Sequence, residues 1–343
     1  GEYLRHQKEY EAYLKELSTA IDRKYGDYSQ FWHDRNYVQF ADRVKATVVF
    51  THGSQDWNVK PINVYQMFNA LPDSLEKHLF FHNGAHVYMN AWQSIDFRES
   101  MNALICQKLL GLENGYTLPT VIWQNNQSEQ TWEVLDNFGH DNGKNIQLGE
   151  AEARIANHYE EETFTKYGKA YQNFKDDLFA DKANAITLDF ELDQDIQING
   201  RVHLELKVKS STNRGLISAQ VLEMGDKKYL APIPALKRMN LDNGRLFKEE
   251  ALRELPFKQA KYRVITKGHL NLQNRKNLLS IENVTPNEWM TIGLDLQPTI
   301  YKLNKGDKLR LVLYTTDFEH TIRDNSDYEL TVDLGQSQMT LPY

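Results

Sequence analysis

Residues 44–50 read VKATVVF, a short, β-branched and almost continuously apolar run. Such a run is typical of a strand that is covered on both faces, as in a parallel sheet. Pro61 favours the start of a helix that reaches about Leu71, and residues 77–82 (KHLFFH) predict a second strand. Strand, helix and strand in this order predict a βαβ unit, in which the two strands are parallel neighbours.

Helices are predicted on both sides of this unit. Apolar residues recur at steps of three and four from Glu9 to Tyr25, and Gly26 then predicts the end of that helix. A further helix is predicted over about 95–110, ended by Gly111. The first third of the chain is therefore predicted to be α/β.

Beyond Tyr116 the hydrophobic period changes to two. Apolar and polar residues then alternate in segments at 121–123, 131–135, 186–190, 202–208, 216–222, 289–296, 308–314 and 328–332. Alternation predicts strands with one face in water, and many short strands predict a β-sandwich or jelly roll. Residues 150–181 are predicted as a helical excursion, and 232–285 as a long connection or extra hairpins.

Length and composition bound the remaining choices. The 343 residues suffice for two hydrophobic cores, so we expect two domains, 1–115 and 116–343. The net charge of −7 is spread along the chain, which argues against a nucleic acid or an anionic membrane as partner. No apolar run is long enough to span a bilayer, and the single Cys106 cannot form an internal disulfide, which fits a cytoplasmic location.

Polar loops follow both strands of the βαβ unit. Asp56 lies after the first strand and His86 after the second, one crossover later. Catalytic groups of open α/β sheets stand at this carboxyl edge. A carboxylate beside an imidazole fixes its tautomer and stabilises it when it takes a proton, as acyl transfer requires. The order acid then histidine is that of the α/β-hydrolase triad.

The loops and the segment before them resemble a known family, the Xaa-Pro dipeptidyl-peptidases. The resemblance covers the whole chain and is most specific in FWHDRNY (31–37), THG (51–53), DWNVKP (56–61), GAHVYMN (84–90) and WQSIDF (92–97). It implies the C-terminal part of an α/β-hydrolase domain (1–115) followed by a jelly-roll β-sandwich of the galactose-binding-like kind (116–343). It further implies that Asp56 is the triad acid, that His86 is the triad base and that Asn58 binds a substrate carbonyl.

One part of the family pattern is missing. The Gly-x-Ser-x-x-Gly elbow that carries the nucleophile occurs nowhere in these residues. Ser54 shares the loop of the acid and could not place His86 between itself and Asp56. We therefore expect the chain, which starts at Gly1 in a helical pattern, to be the C-terminal portion of the enzyme and to be inactive alone. Exposed sheet edges also predict self-association or altered packing of the fragment. A homodimer is the expected assembly.

Each candidate residue has a structural alternative. Asp56 suits an Asx turn before Pro61, and His86 suits an ordinary loop position. Trp57 suits either a wall of the substrate pocket or a buried anchor of its loop. The spacing of His78, His82 and His86 by four would suit a metal only on a helix, whereas a strand is predicted there, so neither metal nor cofactor is expected.

Three functions compete on this sequence. The first is a serine exopeptidase that releases Xaa-Pro dipeptides from the N-termini of proline-containing peptides. The second is an ester or amide hydrolase of the cocaine-esterase type, which shares the triad. The third is a non-catalytic jelly-roll binding module, because a fold alone does not define an activity.

Overall fold

A computed structural model describes residues 2–20, 28–140, 142–240, 250–321 and 323–343. Its helices are α1 (Glu2–Arg5), α2 (Gln7–Ala20), α3 (Gln30–His33), α4 (Ile62–Ala70), α5 (Phe97–Leu110), α6 (Glu161–Lys169) and α7 (Tyr171–Phe179). Short 3₁₀ helices lie at Tyr37–Arg43, Met89–Ala91 and Leu272–Asn274. Among these described residues, no helix combines the length and the apolar character that crossing a bilayer requires.

The strands lie in two groups. The first comprises β1 (Val48–Gly53), β2 (Lys77–His82), β3 (Val121–Gln124) and β4 (Trp132–Leu135). The second comprises β5 (Gly143–Gln147), β6 (Glu152–Asn157), β7 (Ile186–Glu191), β8 (Ile196–Gly200), β9 (His203–Ser210), β10 (Leu216–Leu230), β11 (Ala235–Asn240), β12 (Glu250–Glu254), β13 (Phe257–Asn271), β14 (Met290–Asp295), β15 (Thr299–Leu303), β16 (Lys308–Tyr314) and β17 (Tyr328–Pro342).

The first sheet has the strand order β1-β2-β3-β4. Strands β1 and β2 are parallel, with Val48 opposite Lys77, and the helix α4 connects them as the sequence predicted. Strand β3 is parallel to β2, and β4 is antiparallel to β3. Two segments that alternate in sequence, 121–123 and 131–135, therefore extend this sheet rather than the β-sandwich, so the sheet continues past residue 115.

Strand β1 differs from its prediction in two ways. It begins at Val48 rather than Val44, because the Val44 amide closes the preceding 3₁₀ helix by donating to the Ala41 carbonyl (3.2 Å). It is also only half-buried over 48–50, whereas β2 is buried over 78–82. The prediction that β1 is covered on both faces was wrong for the described residues, where β1 is the edge strand of the sheet and its side chains at 48–51 are half-buried or exposed.

Two antiparallel sheets enclose the main core. One has the order β13-β10-β16-β7 and the other β14-β9-β17-β5, with β6 also paired to β17. Apolar side chains from both sheets form one cluster that includes Val208, Ile217, Leu311 and Leu330. Within 232–285, predicted as a long connection or extra hairpins, β11 and β12 pair antiparallel. Strand β13 is instead the edge strand of the first of these two sheets, where it pairs with β10 along most of its length. Helices α6 and α7 lie within the predicted excursion at 150–181.

The flanking helices follow their sequence signals closely. Helix α5 begins after Asp96, whose Oδ1 accepts from the Glu99 amide (3.0 Å), and ends at Gly111 with φ +67°. That left-handed conformation costs glycine little, which explains the stop. Helix α2 covers the predicted 9–25 helix as far as Ala20, and the remaining part, with Gly26, lies outside the described residues.

Candidate active site

Two loops meet at the carboxyl edge of the first sheet. Beyond β1, the Ser54 amide donates to the His82 carbonyl (2.8 Å) and the Gln55 amide donates to the Gly84 carbonyl (3.1 Å). These bonds continue the pairing of β1 and β2 after the regular strands end. The loop that carries Asp56 and the loop that carries His86 are therefore held side by side.

Asp56 and His86 form a direct hydrogen bond. The Nδ1 atom of His86 lies 2.7 Å from the Oδ2 atom of Asp56. The carboxylate is buried, at 4% exposure, whereas the side chain of His86 is 59% exposed. Because a carboxylate oxygen accepts, Nδ1 carries the proton and Nε2 presents its lone pair to the exposed side. This is the tautomer that a general base requires.

The second oxygen of Asp56 orders its own loop. Asp56 Oδ1 accepts hydrogen bonds from the amides of Asn58 (3.2 Å) and Val59 (2.9 Å), which is an Asx turn. The turn uses Oδ1, whereas the contact with His86 uses Oδ2. Asp56 can therefore form the Asx turn and bond to His86 at the same time. The backbone bonds hold the carboxylate in the position where it contacts His86.

Gly53 allows the two loops to approach this closely. A Cβ atom on Gly53 would lie 2.2 Å from the Gly84 carbonyl oxygen and 2.6 Å from that of Ala85. Side chains larger than hydrogen are therefore excluded at the end of β1. The THG sequence at 51–53 contains the one residue type that this crossing accepts.

His82 supports the histidine loop from below. Its Nδ1 accepts a hydrogen bond from the Gly84 amide (3.0 Å), and complete burial lowers the pKa of His82 to about 3. The ring is therefore neutral and acts as an acceptor. Burial also lowers the pKa of the nearby His52, whose Nε2 lies 2.9 Å from the Val59 carbonyl oxygen. Sequence reasoning considered His82 only as a metal ligand and did not predict this role.

The β-sandwich also holds both loops. The side-chain amide of Gln55 donates to the Val264 carbonyl (3.1 Å). The guanidinium of Arg263 donates to the Asn83 carbonyl (3.1 Å), and the Ala85 amide donates to the Pro232 carbonyl. These partners come from β13 and from the segment after β10. Because these partners lie far from the two loops along the chain, no local pattern in the sequence predicts these contacts.

The other candidate residues take different positions around the pair. Asn58 is exposed, and its amide nitrogen belongs to the Asx turn. Trp57 is half-buried against the β-sandwich, with the Lys267 ammonium 4.6 Å from its ring centroid. Ser54 is buried at 2% exposure. His78, His82 and His86 bond to three different partners, and no cluster of His, Cys, Asp or Glu in the described part of the chain could hold a metal ion.

Family profiles match most of the chain. Residues 114–341 match the X-Pro dipeptidyl-peptidase C-terminal non-catalytic domain, and residues 1–88 match X-Pro dipeptidyl-peptidase of the S15 family. The whole chain is 94% identical to 45% of the length of the Xaa-Pro dipeptidyl-peptidase of Streptococcus thermophilus strain LMD-9. The chain therefore spans less than half the length of this relative.

Solved structures with a similar fold are much more distant in sequence. An aminopeptidase from a marine sediment Thaumarchaeota archaeon superposes with a TM-score of 0.66 at 9% identity, over 96% of this chain and 60% of the other. A CocE/NonD family hydrolase from Staphylococcus aureus superposes with a TM-score of 0.61 at 13% identity, over 93% and 57% of the two chains. At such identities the likeness concerns the fold alone, which is hydrolase-related and consists mostly of sheet with some helices.

Proposed function

Because this chain belongs to the X-Pro dipeptidyl-peptidase family, we propose that it supplies two catalytic groups of a serine exopeptidase that removes Xaa-Pro dipeptides from peptide N-termini. The observation that carries this proposal is the 2.7 Å contact between a buried Asp56 and an exposed His86. The nucleophilic serine comes from another part of the full-length polypeptide. The chain alone is accordingly inactive.

His86 moves the proton in both halves of the reaction. Its Nε2 takes the proton of the serine hydroxyl as the serine oxygen bonds to the prolyl carbonyl carbon. The imidazolium, stabilised by Asp56, then gives that proton to the leaving amine as the carbon–nitrogen bond breaks. A water molecule releases the dipeptide by the same steps, with His86 as base and then as acid. Asp56 remains ionised throughout.

The domain division proposed for this function places its boundary between residues 115 and 116. Residues 1–115 are the C-terminal part of an α/β-hydrolase domain, and 116–343 form a jelly-roll β-sandwich of the galactose-binding-like kind. The first family profile ends at residue 88 and the second begins at residue 114, which supports a boundary close to this position. Under this division, β3 and β4 belong to the second segment but extend the sheet of the first segment.

Asn58 and Trp57 are the proposed substrate contacts of the chain. The exposed amide of Asn58 lies two residues beyond the acid and suits a hydrogen bond to a substrate carbonyl. Trp57 offers an apolar face next to the same loop. Proline-containing peptides are the proposed partners, whereas the homodimer and the cytoplasmic location remain predictions of the sequence.

Two other functions are alternatives. An ester or amide hydrolase of the cocaine-esterase type would use the same pair of side chains, so the contact between Asp56 and His86 fits it as the second candidate. The family profile over 114–341 carries the description non-catalytic, which fits a binding role for the sandwich in either case. The Asp56–His86 contact favours catalysis by the chain as a whole.

Chromogenic substrates given to the full-length protein separate these functions. Alanyl-prolyl-p-nitroanilide should be cleaved, and His86→Gln should abolish that cleavage. His158→Gln is the matched control, because His158 is an exposed histidine bonded to Asp327 far from the loops in sequence. Turnover of p-nitrophenyl acetate without cleavage of the anilide would reject the peptidase in favour of the esterase.

A further inference from the structure

A cavity of about 300 Å³ lies directly beside the two catalytic loops. Its walls come from the acid loop, the histidine loop, helix α7 and strand β13. Trp57 and Ala85, which line it, are the chain neighbours of Asp56 and His86. The cavity is therefore one residue away from each member of the pair.

The cationic side chains in the cavity wall are more available to bind a ligand than the carboxylates are. Lys175 and Arg263 both line it, and neither forms an ion pair within the described residues. Among the residues that the structure describes, the Arg263 guanidinium donates one hydrogen bond, to the Asn83 carbonyl, and the Lys175 ammonium makes none. Burial lowers the pKa of both side chains, which is the cost of holding unpaired cations there.

The carboxylates that line the cavity already have partners. Glu319 is paired with Lys267, a third cation in the wall. Asp317 lies 3.4 Å from His269 Nε2 and accepts from the backbone amide of Glu319 (3.2 Å). Lys175 and Arg263 thus remain the groups that a bound anion would satisfy.

Apart from the polar side chains of Gln55 and Gln220, most of the remaining wall is apolar or aromatic. It includes Trp57, Phe174, Leu178, Pro232 and Tyr262. A ligand that fits both parts has an apolar body and a carboxylate. The C-terminal residue of a peptide has this chemistry.

The position of the cavity suits the part of the substrate that leaves when the peptide bond is cleaved. In the proposed mechanism, His86 gives its proton to the leaving amine, so the leaving peptide lies next to the histidine loop. We propose that the cavity receives the leaving segment of short peptide substrates, with the free C-terminal carboxylate held by Arg263 and Lys175. This inference rests on the proposed function and names its substrate class, short peptides with an ionised C-terminus.

The test compares alanyl-prolyl-phenylalanine with its C-terminal amide as substrates of the full-length protein. The wild type should have the higher kcat/KM for the acid. Charge-assisted hydrogen bonds of this kind are worth about 10- to 100-fold. Lys175→Gln and Arg263→Gln should each lower the ratio of acid to amide about tenfold or more, whereas Lys182→Gln, an exposed lysine just after α7, should leave the ratio unchanged.

Two results would overturn the inference in distinguishable ways. Equal kcat/KM values for acid and amide in the wild type, or an unaltered ratio in Lys175→Gln, would remove the carboxylate site and leave the peptidase intact. Lys175 is the decisive variant because its ammonium makes no described hydrogen bond, so its removal disturbs no contact of the histidine loop. Failure of the wild type to cleave alanyl-prolyl-p-nitroanilide would instead overturn the proposed function, and this inference with it.

Discussion

The Nδ1 atom of His86 lies 2.7 Å from the Oδ2 atom of Asp56, although helix α4 and strand β2 lie between the two residues in the chain. The contact exists because β1 and β2 are parallel neighbours whose loops leave the sheet at the same edge. Backbone amides hold the other carboxylate oxygen, so the pair is positioned by the fold rather than by the contact itself.

The crossing at Gly53 should tolerate no side chain. Gly53→Ala would place a Cβ atom 2.2 Å and 2.6 Å from two carbonyl oxygens of the histidine loop. Overpacking against backbone costs about 3 kcal/mol, so we expect a lower urea midpoint of the chain and, in the full-length protein, a loss of activity above about 100-fold.

Gly111→Ala is the control for that substitution. Gly111 has φ +67° but no atom within 4 Å of its Cβ position, so only the conformational cost of about 1 kcal/mol applies. Equal effects of the two alanines on stability would contradict the steric role of Gly53.

His82 should make the protein sensitive to acid. Burial lowers the folded-state pKa of His82 to about 3, whereas its unfolded value is near 6.5. Between these two pH values His82 binds a proton in the unfolded state but not in the folded state. The free energy of unfolding is therefore highest above pH 6.5 and decreases as the pH falls towards 3. We expect the free energy of unfolding to fall by about 2 kcal/mol between pH 7 and pH 5 through this residue.

Urea unfolding at the two pH values measures this effect. His82→Gln lowers the stability at pH 7 but removes the proton-linked part, so its loss from pH 7 to pH 5 should be about 2 kcal/mol smaller than that of the wild type. An identical loss in both proteins would show that His82 takes its proton as readily in the folded state as in the unfolded one.

Asn58→Ala should lower kcat/KM without affecting the fold. One hydrogen bond between neutral groups is worth about 1 kcal/mol, so kcat/KM for alanyl-prolyl-p-nitroanilide should fall about three- to tenfold in the full-length protein. The Asx turn depends on the backbone amide of Asn58, which the substitution retains. An unchanged kcat/KM would exclude Asn58 from the substrate site.

The chain alone should not react with a fluorophosphonate serine probe. Ser54 is buried at 2% exposure and lies within the loop of the acid, where the triad geometry has no place for a nucleophile. Mass spectrometry of the treated chain should therefore show no adduct, whereas the full-length protein should carry one. Stoichiometric labelling at Ser54 would contradict the division of the catalytic groups.

Local signals in the sequence predicted the elements around the pair. The apolar runs of β1 and β2, Pro61 before α4 and Gly111 after α5 act within a few residues, so the crossover and the edge that carries Asp56 and His86 followed from them. The start of β1 was harder to predict from the sequence, because Val44 is a residue type that favours strands yet closes a 3₁₀ helix in the folded chain.

Contacts between distant segments left no such signal. Strand β13 contains lysines and an arginine among its aromatic residues, as an exposed hairpin does, yet it runs for 15 residues beside β10 and contributes Arg263 to the histidine loop. The predicted strand ended at Leu222, whereas β10 continues to Leu230 through an irregularity between Met224 and Lys227.

Replacement of the carboxylate tests the central claim most directly. Asp56→Asn in the full-length protein retains the shape of the side chain but offers Nδ1 an amide that favours the wrong tautomer, so kcat for alanyl-prolyl-p-nitroanilide should fall by about 10⁴. Asp73→Asn, at a fully exposed carboxylate before β2, should have no effect. A decrease of only a few-fold in Asp56→Asn would contradict the account, because His86 would then work without the residue that orients it.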